Sequence, residues 1–120
     1  MLVVDAFAWF EYFFGTGRGE KVWEFVESEE MLVTPAIALF EIKNKLVREG
    51  RDYKKQVQFV MERSLVEPLT AEIALKAVDV KKEKRLKTSD AFIYATALAK
   101  KCRLLTGDQH FKNVEGVEFI

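Results

Sequence analysis

The sequence predicts an α/β domain with a mostly parallel central sheet that helices cover on both faces. Short apolar runs rich in Val, Leu and Ile alternate with longer segments of helical periodicity. This alternation is typical of parallel sheets, because their strands are buried on both faces and joined by helices. With 120 residues, 49% of them hydrophobic, the chain can build one core, so we expect a single domain over residues 1–120.

Strands are predicted where short apolar runs end at a turn or charged residue. The run at residues 2–4 stops at Asp5, and the run at 103–106 stops at Gly107. A shorter run precedes Pro68, and an edge strand is expected near the end of the chain. The predicted strands cover residues 2–4, 31–33, 65–67, 103–106 and 117–119.

Helices are predicted from apolar spacings of three and four residues and from capping residues. Thr34-Pro35 indicates a helix start, because threonine can cap and proline is tolerated in the first turn. Thr70 indicates another start, and the segment after Thr88 is apolar on nearly all sides, which predicts a buried helix. Glycines predict a loop at 15–19. The predicted helices cover residues 7–14, 21–29, 35–49, 52–61, 70–84 and 88–99.

Composition excludes several classes of protein. Nineteen acidic residues balance nineteen basic ones, so the net charge gives no argument for nucleic acid, and only local clusters can. One cysteine and one histidine exclude an intrachain disulfide and a Cys/His zinc site within one chain. No targeting segment and no run of roughly 18 apolar residues is visible, so we expect a cytoplasmic protein that does not enter membranes.

Four carboxylates are predicted to meet at one edge of the sheet. Asp5 and Asp108 follow strands, Asp90 lies in the first turn of a helix, and Glu41 lies on a polar stripe of the helix after the second strand. Ligands of parallel sheets bind outside the carboxyl ends of the strands. Clustered carboxylates repel unless a cation lies between them, and oxygen ligands alone select Mg²⁺ or Mn²⁺. The pattern therefore indicates metal-assisted hydrolysis of a phosphodiester.

Each carboxylate also has an ordinary structural role open to it. Asp5 is a suitable helix cap, Asp90 suits the dipole of its helix, and Asp108 suits a turn. Glu41 has Lys45 four residues later, which is the favourable order for an ion pair on one helix. Only the combination of the four makes the metal site the stronger interpretation.

Four segments carry a resemblance to a known family. They read LVVD (residues 2–5), TPAIALFEI (34–42), SDAFIYATAL (89–98) and LLTGDQHF (104–111), and together they span essentially the whole chain. In this order they resemble the PIN domain family, in particular the VapC-like toxin ribonucleases of toxin–antitoxin pairs. The resemblance implies a three-layer sandwich in which Asp5, Glu41, Asp90 and Asp108 bind one or two Mg²⁺ or Mn²⁺ ions and a metal-bound water attacks RNA.

The resemblance also implies a supporting hydrogen bond and two partners. Thr106 matches the hydroxyl residue that often accompanies the last Asp of the family. The family usually carries a small hydroxyl residue just after the first Asp, where this chain has Ala6 and Phe7. That departure bears on one supporting contact more than on the metal ligands. The implied partners are a second copy of the chain and a small antitoxin that inserts a segment near the acidic site.

Basic side chains near the acidic edge are candidates for contacts with RNA phosphates. Arg85 and Lys87 end a basic stretch just before Asp90, and Lys45 and Arg48 lie on the polar stripe of the third helix. A solvated helix end accounts for the basic stretch equally well. His110 is expected to be an ordinary loop histidine. Six aromatic residues between positions 7 and 14 exceed what one short helix can bury, so part of them predicts an interface.

An endoribonuclease is the leading prediction, and the residues disfavour several competing functions. A catalytically silent PIN-like scaffold that binds RNA or protein partners is disfavoured by the four carboxylates but left open by Phe7. A haloacid-dehalogenase-like phosphatase needs a second Asp at position 7, and a receiver domain needs paired acids at the end of the first strand. A dinucleotide-binding enzyme is disfavoured because the glycines at 15–19 do not directly follow a strand.

Overall fold

A parallel sheet forms the centre of the computed structural model, which describes residues 1–15 and 17–120. Its strands are β1 (Leu2–Val4), β2 (Leu32–Pro35), β3 (Ser64–Glu67), β4 (Arg103–Thr106) and β5 (Val117–Phe119). They lie in the order β3-β2-β1-β4-β5, and each neighbouring pair is parallel. The predicted α/β sandwich is therefore confirmed.

Helices connect these strands and cover the sheet. They are α1 (Ala6–Phe14), α2 (Gly17–Val26), α3 (Ala36–Arg48), α4 (Lys54–Arg63), α5 (Ala71–Lys84) and α6 (Thr88–Ala99). A short 3-10 turn, Gln109–Phe111, follows β4. The prediction that α6 is buried is confirmed, since most of its residues from Asp90 to Ala97 are buried. Within the described ranges, no helix is long and apolar enough to cross a bilayer.

The topology brings the ends of β1 and β4 together. The strands β2 and β3 lie on one side of β1, and β4 and β5 lie on the other. The strand order therefore reverses between β1 and β4, which is where a parallel sheet opens a crevice beyond the carboxyl ends of its strands. Asp5 directly follows β1, and Asp108 follows β4 by two residues. Both strands are anchored in the core, where Val3 and Leu104 are fully buried.

The predicted capping role of Thr34 is wrong, because Thr34 and Pro35 both belong to β2 and α3 begins at Ala36, one residue later than predicted. The Thr34 hydroxyl caps no helix: it accepts a hydrogen bond from the Trp9 indole nitrogen (3.0 Å) and shares one with the Ser64 hydroxyl (2.7 Å). Pro35 has an extended backbone and pairs in register with Glu67 at the end of β3. Tertiary hydrogen bonds that link α1, β2 and β3 thus override a local capping signal.

The predicted loop at residues 15–19 is also wrong for its second half. Gly17 and Gly19 lie in the first turn of α2, and Thr16 lies outside the described residues. Gly19 is needed because a Cβ there would lie 2.4 Å from the Glu11 carbonyl oxygen of α1. The glycine permits a close approach of two helices, which in sequence is indistinguishable from a turn signal.

Candidate metal centre

Asp5 is the most buried carboxylate of the site. It is 4% exposed and caps α1, with Oδ1 accepting from the Ala8 backbone N–H at 2.8 Å. Burial raises the pKa of Asp5 to about 7, and the carboxylates of Asp90 and Asp108 add to the rise. The hydrogen bond from the Ala8 N–H and the nearby Thr106 side chain act to lower this pKa without cancelling the rise. Capping therefore accounts for only part of the environment of Asp5.

Asp90 holds a buried oxygen without a partner. The residue lies in the first turn of α6 and is 5% exposed. Its Oδ2 has no hydrogen-bond partner among the described residues. Burial raises the pKa of Asp90, and the Asp108 carboxylate adds to the rise. An unpaired buried carboxylate oxygen is costly, about 1–3 kcal/mol or more, and this cost is removed if a cation occupies the site.

Asp108 is held by the turn that follows β4. Its Oδ1 accepts from the His110 backbone N–H at 2.9 Å and lies 2.7 Å from the His110 ring nitrogen Nδ1. Partial burial alone would raise the pKa of Asp108, but the hydrogen bonds and charge of His110 outweigh it, so this pKa lies below its ordinary value. Asp108 therefore loses its proton at a lower pH than the other three carboxyl groups, whose pKa values are raised.

Glu41 approaches the same carboxylates from α3. It is partly buried, and the Ser89 side chain at the start of α6 acts to lower the pKa of Glu41. Burial raises the pKa of Glu41, and the nearby Asp90 carboxylate contributes. The ammonium group of Lys45 lies 4.5 Å from the centroid of the Phe10 ring. In the described part of the chain, the ion pair that would give Glu41 a purely structural role is not formed.

Among the described residues, the structure places ligand atoms of Asp90 and Asp108 within 4.8 Å of one another, and Asp5 and Glu41 lie outside that group. The carboxylates of Asp90 and Asp108 still raise the pKa of Asp5 and of Glu41, so all four lie in one region, and their roles stay a prediction. Thr106, predicted as a supporting residue, is fully buried. Its hydroxyl accepts from the Asp108 backbone N–H at 3.1 Å, and its proximity to Asp5 acts to lower the pKa of that carboxyl. Thr106 therefore lies between the residues that follow β1 and β4.

The aromatic residue at position 7 packs beside the centre. A Cβ added to Gly107 would lie 2.6 Å from Cε1 of Phe7 and 2.8 Å from Cγ1 of Ile120. The Arg18 guanidinium lies 5.8 Å from the centroid of the Phe7 ring. Phe7 therefore supports the backbone between Thr106 and Asp108 by packing, where the family's usual residue offers a hydroxyl.

The predicted basic residues differ in their relation to the carboxylates. Lys87 precedes α6, is exposed, and lowers the pKa of Glu41, Asp90 and Asp108 by its charge. Arg85 is exposed and ends α5 with a left-handed backbone (φ 57°). Of Lys87 and Arg85, Lys87 is therefore the residue whose charge acts on the carboxylates of the site.

His110 lies at the site, although its sequence position predicts only a loop histidine. One ligand atom each from Asp90, Asp108 and His110 lie within 4.8 Å of one another. The only signal in the sequence is its position two residues after Asp108, which is too common in turns to indicate a ligand. The short 3-10 turn, which no sequence pattern predicts, directs the imidazole back to the carboxylate.

Comparison with known proteins gives one family and one fold. The profile of the PIN domain matches residues 2–117. No curated protein matches the sequence significantly. Among solved structures, the chain is similar to a toxin–antitoxin complex from Klebsiella pneumoniae, with a TM-score of 0.82 and 19% identity over 98% of this chain and 96% of that one.

Two further structures share the fold. One is VapC20 from Mycobacterium tuberculosis, described as a toxin that cleaves the sarcin–ricin loop, with a TM-score of 0.77 and 20% identity over 98% of each chain. The other is VapBC2 from Rickettsia felis bound to a fragment of promoter DNA, with a TM-score of 0.77 and 13% identity over 99% of this chain and 98% of that one. Identities this low establish the fold of this chain and nothing more.

Proposed function

This chain belongs to the PIN domain family, and on that premise we propose that it is a metal-dependent endoribonuclease, the toxin of a toxin–antitoxin pair. The observation that carries the proposal is the buried Oδ2 of Asp90, which has no hydrogen-bond partner among the described residues and lies in a region with three other carboxylates. Folding such a cluster costs free energy that a purely structural role would not offset. The toxin–antitoxin proteins of the same fold supply the biological setting for the proposal.

The donor set fits Mg²⁺ or Mn²⁺. Asp5, Glu41, Asp90 and Asp108 would hold one or two ions, since carboxylate oxygens are the ligands these hard cations prefer. When bound, such an ion supplies a Lewis acid that lowers the pKa of a water and offsets negative charge on the scissile phosphate. The ion would also supply a partner for the buried Oδ2 of Asp90, which has none among the described residues.

Backbone N–H groups keep two of the carboxylates in position for this chemistry. The Ala8 backbone N–H donates to Asp5, and the His110 backbone N–H donates to Asp108. Because hydrogen bonds formed during folding already fix these ligands, little reorganisation is needed when RNA binds.

Purified protein and single-stranded RNA test the proposed activity directly. We expect cleavage with Mn²⁺, none with EDTA, and a strong reduction for Asp5→Asn, which removes the charge but keeps a good helix cap. RNA containing a sarcin–ricin loop is one substrate to include, because a protein of the same fold is described as cleaving it. Cleavage that persists in EDTA would contradict the metal site, and full activity of Asp5→Asn would contradict its location.

Lys87 is proposed as the principal phosphate contact, with Lys45, Arg48 and Arg85 as further contacts. In an Asp5→Asn background, in which we expect RNA cleavage to be strongly reduced, Lys87→Ala should weaken RNA binding. It should also reduce the slope of log K against log salt by about 0.7, as expected for one phosphate contact to a single strand. The measurement is a fluorescence anisotropy titration at several salt concentrations.

Lys76→Ala is the matched control for Lys87→Ala. Lys76 is exposed and lies beside Leu98 and Ala99, at the end of α6 remote from Asp90. Its loss should leave the salt slope unchanged. Equal slopes for Lys87→Ala and the parent protein would remove Lys87 from the RNA site.

A silent scaffold that binds RNA or protein partners is the second candidate function. It is favoured by Phe7, which packs near Gly107 where the family usually has a hydroxyl residue. The two candidates differ in one result: the scaffold would bind Mn²⁺ and RNA without cutting any of the RNAs tested.

Exposed apolar residues support the proposed partners, an antitoxin and a second copy of the chain in the cytoplasm. Phe40 and Val47 line a groove of about 530 Å³ beside α3, and Leu75 and Val78 lie exposed three residues apart on α5. Apolar surface of this kind is what protein partners cover. Sedimentation equilibrium of the purified chain tests the homodimer, and a single monomeric species at all concentrations would exclude it.

A further inference from the structure

His110 is the single histidine of the chain, and it lies at the metal centre. Its Nδ1 is 2.7 Å from Asp108 Oδ1, and it shares a cluster of ligand atoms within 4.8 Å with Asp90 and Asp108. Ligand atoms on opposite sides of one small divalent ion are about 4.2 Å apart. The imidazole is therefore within reach of an ion bound by the two carboxylates.

The local backbone presents this imidazole to the site. The His110 backbone N–H is tied to Asp108 Oδ1 at 2.9 Å, and the next residue, Phe111, is fully buried and stacks on Tyr94. The His110 side chain itself is 64% exposed, so its ring can turn without disturbing the core. A fixed backbone with a movable ring is a suitable arrangement for a ligand that closes onto an ion.

An independent observation indicates that this cluster lacks a ligand partner. Asp90, which belongs to the same cluster, is only 5% exposed, and its Oδ2 has no hydrogen-bond partner in the described part of the chain. The hydrogen bond between His110 and Asp108 does not satisfy that atom. A cation between Asp90, Asp108 and His110 would satisfy it.

We propose that His110 is a nitrogen ligand of the ion bound by Asp90 and Asp108, and that it makes the centre select Mn²⁺ over Mg²⁺. The inference rests on the proposed metal site and deepens it. Mg²⁺ strongly prefers oxygen ligands and gives up water reluctantly, whereas imidazole is a good ligand for the transition metals. Four carboxylates alone give no such discrimination, so the histidine decides the metal.

Electron spin echo spectroscopy of the Mn²⁺-loaded protein tests the proposal. Imidazole coordination modulates the Mn²⁺ echo through ¹⁴N, and with one histidine in the chain the signal has a single source. We expect ¹⁴N modulation in the wild type, its loss in His110→Gln, and its retention in Gln109→Ala, a change at the exposed neighbour. Circular dichroism checks that both variants are folded.

Calorimetric titration with Mn²⁺ and with Mg²⁺ provides the second readout. His110→Gln should weaken Mn²⁺ binding about tenfold and change Mg²⁺ binding far less. Bound Mn²⁺ without ¹⁴N modulation, or equal weakening for both ions, would overturn the role of His110 and leave the carboxylate site intact. Absence of Mn²⁺ binding in the wild type would overturn the inference together with the proposed function, so the two failures are distinguishable.

Discussion

Replacing Asp90 with Asn is expected to lower RNA cleavage by about 10²- to 10³-fold while stabilising the metal-free protein. The Asp90 carboxylate is almost fully buried, and in the part of the chain that the structure describes its Oδ2 has no hydrogen-bond partner. Asp108 is a neighbouring negative charge. An Asn amide removes the charge and can donate a hydrogen bond to a neighbouring carboxylate. We therefore expect the free energy of unfolding in EDTA to rise by about 1–2 kcal/mol, the trade-off expected where a site is built for function.

Thermal unfolding with EDTA and with Mn²⁺ measures the expected change in stability. Saturating Mn²⁺ should stabilise the wild type, by about 2.7 kcal/mol at a concentration of 100 Kd, and should stabilise Asp90→Asn much less. Asp79→Asn on α5 is the matched control, because Asp79 is exposed and its change should stay within about 0.5 kcal/mol in both conditions. RNA cleavage is followed with the same three proteins.

A purely structural role for Asp90 predicts the opposite sign. If the carboxylate served mainly to interact with the dipole of α6, its removal would lower the melting temperature in EDTA. That result, with cleavage unchanged, would contradict the metal site. Since the two roles differ in the direction of a measured shift, one melting experiment separates them.

The sequence predicts most of the fold because burial is periodic and local. The strands at 2–4, 103–106 and 117–119 are confirmed, since their short length and the turn residues beside them favour a strand over a helix. The family resemblance is also confirmed, by a match over residues 2–117. The predicted cap of α3 by Thr34 is wrong, because the Thr34 hydroxyl bonds to Trp9 and Ser64, two partners that only the tertiary structure brings near.

The candidate site, like the fold, could be predicted from the sequence only in part. Asp5 and Asp108 can be assigned to one edge because the geometry of parallel strands places strand ends together. His110 cannot be assigned from sequence, since its relation to Asp108 depends on a 3-10 turn of three residues that no periodicity reveals. The lack of a hydrogen-bond partner for Asp90 Oδ2 among the described residues is likewise a result of packing around α6, and it cannot be predicted from the sequence.

The stability of the metal-free protein is expected to fall as the pH rises from about 4 to about 7, chiefly because of Asp5. Burial raises the pKa of Asp5 from 3.8 to about 7, so in this interval the folded state keeps a proton that the unfolded chain has lost. Stability falls with pH wherever the folded state binds more protons. The contribution is fully present below about pH 4, and its loss, at most about 4 kcal/mol, is complete above about pH 7.

Urea unfolding in EDTA between pH 4 and pH 8 measures this loss, and Asp5→Asn identifies its source. Asn removes the titration but still accepts the Ala8 N–H, so the cap of α1 is kept. The variant should show a much flatter pH profile, with the remaining slope due to Glu41 and Asp90, whose pKa values are raised in the same direction. Parallel profiles for the two proteins would contradict the assignment to Asp5.

The same proton links stability to the proposed metal site. An ion that binds the Asp5 carboxylate has to displace the proton, so the affinity for Mn²⁺ should increase as the pH rises towards about 7 and level off above it. The increase in stability on adding Mn²⁺ should therefore be largest at neutral pH, where the metal-free protein is least stable. An affinity independent of pH from 5 to 8 would mean that Asp5 lies outside the coordination sphere and acts only as the cap of α1.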